Sequence, residues 1–314
     1  KYEEELHNRL GSDKKIVRFL INRAKESPKR IIYAEADHLD VLKAAQIVLE
    51  EGIGHPILLG NREVIEELKK EIEFDEDVPI IDPKSKEELS NRNKYGEKYW
   101  EIRKRKGVTL FRAVNKMKER NLYAAMMLQN GDADALISGY SRSYPVTVKP
   151  IFEVIGRASG VNRVATTNLM ITSKGPLFLS DTSINIDPSA KDLAIIAKMT
   201  SDAVKMFGLE PNVAMVSYSN FGSSNHPMAL KVNEAVKYLH RNFPDLVVDG
   251  PVQSDFALNK EMFKKNFSFS KLSGKNVNTL IFPNLDSANT NYKVIKELDN
   301  ALSIGPIMMG MSKA

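Results

Sequence analysis

Four stretches of this sequence gather hydroxyls, carboxamides and charge behind apolar runs: SGYSRSYP (138–145), DTSINIDP (181–188), SNFGSSNHP (219–227) and FPNLDSAN (282–289). The first and its continuation place Ser138, Ser141, Ser143, Tyr144 and Thr147 near Gly139, with Arg142 and Lys149 as cations. Backbone N–H groups about a glycine, together with such side chains, suit a phosphate or another oxyanion. An ordinary turn ahead of a helix accounts for the same residues. SNFGSSNHP sets Asn220, Ser223 and Ser224 about Gly222. They either hold a pyrophosphate or a carbonyl oxygen, or close turns on their own backbone. RKRK (103–106) is the densest basic run, with Arg103 behind an apolar face at Trp100 and Ile102. A guanidinium fork matches phosphate better than an ammonium does, whereas a solvated helix end explains Lys104 and Lys106. Asp181 and Asp187 have the chemistry of a general base or of cation ligands, and Asp187, just before a proline, also suits a helix cap.

Composition removes other chemistries. With no cysteine among 314 residues, a disulfide framework, thiolate zinc, iron–sulfur clusters and a cysteine nucleophile are excluded. The five histidines lack HExxH spacing, so no metal site is expected. GxGxxG and GxxxxGK[ST] are both missing, which leaves a dinucleotide fingerprint and a P-loop unsupported. A formal charge of +5 favours anionic partners weakly and equally serves solubility. A nucleic-acid surface would need more arginine, interleaved aromatics and a second basic stripe; none is visible, so no nucleic acid is expected. No run approaches the roughly 20 apolar residues of a membrane span, and the polar opening KYEEELHNRLGSDKK reads as no secretory signal. The expected location is cytoplasmic.

The elements that must position these loops alternate. Helical periodicity over 14–28 precedes the apolar run RIIYAEA (30–36), a helix closed by Gly52, the run HPILLG, and a helix starting at Asn61. That rhythm predicts a parallel sheet with right-handed crossovers. A short strand VPIID, a helix over 94–105, and a Thr109-capped helix running through Met117 and Leu122–Met127 follow, then the strand ADALISG and a helix near Pro150. After Gly160 a second α/β unit is expected: neighbouring strands VNRVATTNLMIT and GPLFLSDT, a helix over 189–207 capped by Asp187 or Ser189, the strand VAMVSYS, and a helix over 228–241. LVVDG, VQSDFAL (strand or helix start) and NTLIFP complete it, and the helical KVIKEL leads to a strand-like ending, IGPIMMGMSKA. An apolar strand so near the last residue leads us to expect that the native chain or its ordered region continues.

Read in order, RIIYAEADHLDVLKAAQIVLEEGIGHPILLGN, RKRKGVT, NLYAAMM, GDADALISG, KGPLFLSDTSINIDPSA, LEPNVAMVSYSNFGSS, FPDLVVDGPVQSDFAL, NTLIFPNLDSANTNYK and IGPIMMG resemble the phosphate acetyl/butyryl-transferase family over about residues 14–314. More narrowly, SRSYPVTVKP, NIDP and SNFGSSNHP resemble the version at the C-terminus of bacterial NADP-dependent malic enzymes. The resemblance implies two α/β domains with parallel-rich sheets and a cleft between them, phosphotransacetylase-like, in an isocitrate/isopropylmalate dehydrogenase-like architecture. It assigns 14–150 and 285–314 to a discontinuous first domain and 151–284 to a second domain with the main dimer contact.

Transacetylases of this family join coenzyme A and acetyl phosphate in a ternary complex, with an aspartate as base and arginines and a serine on the phosphate. The first family arginine matches Arg103; the second falls at Lys149, an unconservative change at a phosphate site. The serine, a further arginine and the aspartate belong to an NDLSRG-type segment beyond Ala314. The malic-enzyme branch implies a regulatory acetyl-CoA-sensing module, not catalytic by itself, that binds its effector through Arg103, Ser138, Arg142, Lys149, Asn220, Ser223, Ser224, Asn284 and Asn289. Its parent would decarboxylate malate to pyruvate with NADP and Mg2+ or Mn2+ in a domain outside this chain, as a higher oligomer of dimeric modules. The alternative is an active phosphate acetyltransferase, making acetyl phosphate and coenzyme A from acetyl-CoA and phosphate.

Overall fold

A computed structural model describes residues 12–313, beginning with helix α1 (Ser12–Glu26). The described chain divides into two units, one of residues 19–158 and 311–313, the other of 12–18 and 159–310.

In the first unit β1 (Lys29–Tyr33), α2 (Leu39–Glu50), β2 (Gly54–Leu59), α3 (Arg62–Glu71) and β3 (Ile80–Ile81) alternate as expected. Asn61 caps α3 by accepting from the Val64 N–H at 3.1 Å. Three helices follow, α4 (Leu89–Arg103), α5 (Leu110–Lys116) and α6 (Arg120–Asn130), then β4 (Ala135–Ile137) and α7 (Tyr144–Val154). Thr109 caps α5 as expected, through the Arg112 N–H at 3.3 Å. The single helix expected beyond it breaks at 117–119, where the Glu119 carboxylate accepts from the Leu122 N–H at 2.7 Å and starts α6 afresh.

The sheet order is β3-β2-β1-β4, all parallel. Both its faces are covered, which is why its strands read as continuous apolar runs. Alternate residues face opposite ways: Ile32, Ala34, Ile57 and Leu59 pack with Tyr95, Tyr99, Met117 and Leu122, while Tyr33 and Leu58 pack with Leu42, Ile65 and Phe74. Each fully buried aliphatic side chain contributes roughly 1.5–3 kcal/mol. The chain builds outward from β1 to β3 and then returns to β4 on the other side of β1. That reversal makes the ends of β1 and β4 a topological switch point.

The second unit holds β5 (Ala165–Thr172), β6 (Gly175–Ser180), α8 (Ala190–Met206), β7 (Val213–Val216), α9 (Pro227–Asn242) and β8 (Val248–Val252). Short helices α10 (Ser254–Ala257) and α11 (Lys260–Asn266), β9 (Thr279–Ile281), α12 (Leu285–Leu298) and β10 (Leu302–Met309) complete it. Its sheet, β10-β5-β6-β9-β7-β8, is parallel from β6 to β8 and antiparallel at the β5–β6 hairpin and at β10. Ser189, not Asp187, caps α8, in a capping box with Asp192.

This division differs from the expected 14–150 plus 285–314 and 151–284. Residues 285–310 stay with the six-stranded sheet because β10 pairs with β5 and Met309 enters the core beneath α8 and α9. Only the last described residues return to the first unit, where Met311 bridges Arg157 and the Ser312 N–H donates to the Gly156 carbonyl at 2.9 Å.

Candidate functional site

In the four-stranded unit, α4 ends at Arg103, α5 ends at Lys116, and α7 carries Lys149 and Glu153 one helical turn apart. Glu153 gathers Arg103 and Lys116. Its Oε2 accepts from the Tyr99 hydroxyl at 2.7 Å and lies 3.6 Å from Lys116 Nζ, while Oε1 lies 3.8 Å from Arg103 Nη2. Burial alone would push the Glu153 carboxyl up. The Tyr99 hydroxyl, Lys116 and Arg103 outweigh that and hold it below the usual carboxylate range, so it stays ionised. Burial and Glu153 together push Tyr99 above an ordinary phenol. Arg103 is 20% exposed, and its Nε is buried without a hydrogen-bond partner among the described residues. Lys149 is exposed and shares a cavity of about 210 Å³ with Lys116, Glu119, Leu122, Pro150 and Glu153. Thus Arg103 and Lys116 meet at one carboxylate, while Lys149 lies one helical turn from Glu153 and lines the same small cavity as Lys116.

A larger cavity of about 430 Å³ opens at the switch point and shares Lys116 and Glu119 with the first. Residues just past the strands line it: Asp37 after β1, Gly60 and Asn61 after β2, Asp82 and Lys84 after β3, Arg142 after β4. Arg120 pairs with Asp37 at 2.8 Å and Arg142 with Glu119 at 2.9 Å. Its five cations (Lys84, Lys116, Lys118, Arg120, Arg142) against three carboxylates (Asp37, Asp82, Glu119) make the wall net positive. Low-dielectric walls focus such a field toward anionic ligands.

The loop after β4 corrects one expectation. Its N–H groups are not free for an added anion, because the carboxylate of Glu35 occupies them. Gly139 and Tyr140 donate to Oε1 at 2.7 and 3.0 Å, and the Ser141 N–H to Oε2 at 2.7 Å. The Ser141 hydroxyl donates to Oε2 as well. Ser138 donates to Asn121 Oδ1 at 2.8 Å. Of the residues expected to bind from this loop, only Arg142 lines the cavity.

The other five expected residues lie in the six-stranded unit, where their polar groups serve the local backbone. Asn220 accepts from the Gln253 N–H and donates to Gln253 Oε1, each at 2.8 Å. Ser223 meets Ser219 at 2.9 Å, and Ser224 meets the Tyr218 hydroxyl at 3.0 Å. The SNFGSSNHP loop is therefore held by its own hydroxyls and by the neighbouring Tyr218 and Gln253. Asn284 caps α12 through the Ser287 N–H at 2.9 Å, and Asn289 donates to the Thr182 carbonyl at 3.0 Å. Asn284 also lines a cavity of about 530 Å³ with Asp187, Lys231 and Asp286.

The Asp181 carboxylate is taken up by donors of its own unit. Buried, it accepts from the N–H groups of Thr166, Ser183, Ile184 and Asn185 at 2.8–3.3 Å and from the Thr166 hydroxyl at 2.6 Å. Asp187 pairs with Lys231 at 2.6 Å. Among the described residues no cluster of three potential ligands could hold a metal, and no helix is long and apolar enough to cross a membrane.

Sequence reasoning missed Lys116, Glu153, Tyr99 and Glu35. The Lys149–Glu153 spacing was a usable signal. Glu35, in the run YAEAD, carried none beyond being a carboxylate at the end of a buried strand.

The description phosphate acetyl/butaryl transferase belongs to a family model that matches residues 15–314. The phosphate acetyltransferase of Thermoanaerobacterium thermosaccharolyticum is 35% identical over 303 residues, covering 94% of this chain and 91% of that protein. The NADP-dependent malic enzyme of Haemophilus influenzae is 34% identical over 318 residues, but this chain spans only 42% of its length. A solved phosphotransacetylase from Streptococcus pyogenes superposes with a TM-score of 0.84 at 32% identity, over 95% of this chain and 91% of that one. These matches overturn the expectation of a regulatory acetyl-CoA sensor that is not catalytic by itself, since the chain is similar to nearly the whole length of the two transacetylases just named. Two α/β units of this fold, matched along almost every residue, place the chain in the phosphate acetyl/butaryl transferase family.

Proposed function

We propose that this chain transfers a short acyl group between coenzyme A and inorganic phosphate. The observation that carries the reading is the convergence of Arg103 and Lys116 on Glu153, beside a small cavity that Lys149 also lines, with a buried Arg103 Nε still lacking an acceptor. In acetyl phosphate formation a phosphate oxygen attacks the thioester carbonyl carbon. The C–S bond then breaks, and the sulfur leaves as thiolate with the electron pair. The phosphate dianion must be held and oriented, and the negative charge on the tetrahedral intermediate offset, which is what preorganised cations do. Glu153 fixes the cations: by staying ionised it holds the Arg103 and Lys116 head groups in place before substrate arrives. Lys149, a point charge on an exposed stem, adds attraction without the bidentate fork of an arginine.

The net positive cavity at the switch point suits the phosphates of the coenzyme A nucleotide, with Arg142 and Arg120 on its wall. Coenzyme A and phosphate are substrates in this reading. The family resemblance supports a homodimer whose main contact would fall within residues 151–284. SRSYPVTVKP, NIDP and SNFGSSNHP favour the malic-enzyme branch, in which the transferase unit is one part of a longer chain. NADP and a divalent cation would then serve a domain outside these residues, and the mass of the natural protein decides that point.

The test is release of free thiol from acetyl-CoA on adding phosphate, with acetyl phosphate trapped as its hydroxamate. The wild-type protein should show saturable, phosphate-dependent release. Arg103→Ala and Lys149→Ala should each raise the phosphate KM by about tenfold, the loss of roughly 1.4 kcal/mol expected for one charge-assisted contact. No phosphate-dependent release from the natural full-length protein removes the reading.

A further inference from the structure

Glu35 poses a problem that the proposed reaction does not solve. It is 1% exposed, and no cation is paired with it among the described residues. Burying a carboxylate without a partner is costly unless donors replace its water. Here three consecutive backbone N–H groups and one hydroxyl do so, all from residues 139–141. Burial would push this carboxyl up, yet the four donors hold it down to about 2.

Successive N–H groups turned toward one point form an anion-binding nest. Gly139 supplies the turn, at φ +104°, a value other residues rarely adopt. The nest is therefore loaded with an internal anion. The loop's other charged side chain, Arg142, follows immediately. It points to Glu119 and the 430 Å³ cavity, and two residues later α7 begins, carrying Lys149 and Glu153. Apart from Glu35 the loop is fastened by Ser138 to Asn121, the Tyr140 hydroxyl to Asp40, Arg142 to Glu119, and the first turn of α7 back to the Ser143 carbonyl.

We propose that Glu35 is a positioning residue: its carboxylate fills the 139–141 nest in place of a ligand anion, locks the loop, and so sets Arg142 and the start of α7 for anion binding. The proposal deepens the phosphate-binding reading and rests on it only for the kinetic arm of the test. Its consequence is specific. Removing the carboxylate leaves four donors around an empty, anion-sized space, and a small carboxylate from solution should refill it.

The experiment uses the natural full-length protein with Glu35→Ala, and Glu35→Gln in case the alanine variant folds poorly. Glutamine keeps one acceptor oxygen but turns an NH2 toward the Ser141 N–H. The first readout is trypsin cleavage after Arg142, followed by mass spectrometry, alongside thermal unfolding. Either variant should be cut at least tenfold faster than wild type at a temperature far below its unfolding midpoint. Formate at tens of millimolar should slow cleavage of Glu35→Ala back toward the wild-type rate.

The second readout is kinetic. The phosphate or acetyl-CoA KM should rise about tenfold with kcat within threefold, and adding Arg142→Ala to Glu35→Ala should cost nothing further, because both act through one group. Equal cleavage rates, faster cleavage that formate leaves unchanged, or additive kinetic losses overturn the proposal. If the wild-type protein shows no acyl transfer, the proposed function falls, while cleavage and its reversal by formate still decide whether Glu35 holds the loop.

Discussion

Gly96→Ala separates two effects of opposite sign and reaches the proposed site through the backbone. Gly96 lies inside α4, where alanine ordinarily stabilises a helix by about 1 kcal/mol over glycine. Here α5 crosses at the same point. A Cβ on Gly96 would sit 2.7 Å from both Cα and Cγ2 of Val114 and 3.0 Å from its N. Carbon atoms that touch prefer a separation of about 3.5–4.0 Å, so the helices must part by nearly 1 Å. The obstacle is backbone, which no rotamer change removes. Overpacking of this kind costs about 1–3 kcal/mol and sometimes more, so we expect a net loss of about 2 kcal/mol after the propensity gain.

Trp100, the sole tryptophan, lies in α4 against the same core and reports unfolding of this unit. With a urea slope of about 2 kcal/mol/M, the fluorescence midpoint should fall by about 1 M. Val114→Ala on top of Gly96→Ala removes the clash with the valine methyl but leaves the clash with the main chain, so it should restore little. Because α4 ends at Arg103 and α5 at Lys116, the phosphate KM should rise with the same substitution. A midpoint that is unchanged or higher would refute the packing argument.

Two further outcomes follow from buried carboxylates. The folded-state value of Glu35 lies below its unfolded one, so its contribution is complete above about pH 4.5 and disappears as pH falls toward about 2. The stability gap between wild type and Glu35→Gln, measured by urea titration, should shrink through that window; a gap independent of pH would contradict it. In the six-stranded unit, Asp181→Asn turns an NH2 toward donors that now meet a carboxylate. Losing an acceptor for buried N–H groups costs about 2–3 kcal/mol, visible as a lower midpoint by circular dichroism without a change at Trp100.

The apolar runs and their punctuation were enough to place nearly every strand and helix, because a strand buried on both faces is apolar throughout and several of the helices start on a side-chain cap. Asn61, Thr109 and Ser189 all sit where their caps were expected. The motif blocks also settled the family, since many blocks in one order leave little freedom. Arg103 and Lys149 were identified on that basis, 46 positions apart, with nothing local to say what joins them.

Tertiary structure alone decided which polar residues remain available to a ligand. Hydroxyls and carboxamides look the same in sequence whether they face a substrate or close a turn, and the choice depends on which partner arrives from elsewhere in the chain. Gln253 takes up Asn220, and Glu35 takes up the N–H groups of 139–141 from more than a hundred residues away. Glu153 draws Arg103 and Lys116 together for the same reason: a half-buried carboxylate needs donors, and only the packing of α4, α5 and α7 determines which ones it meets.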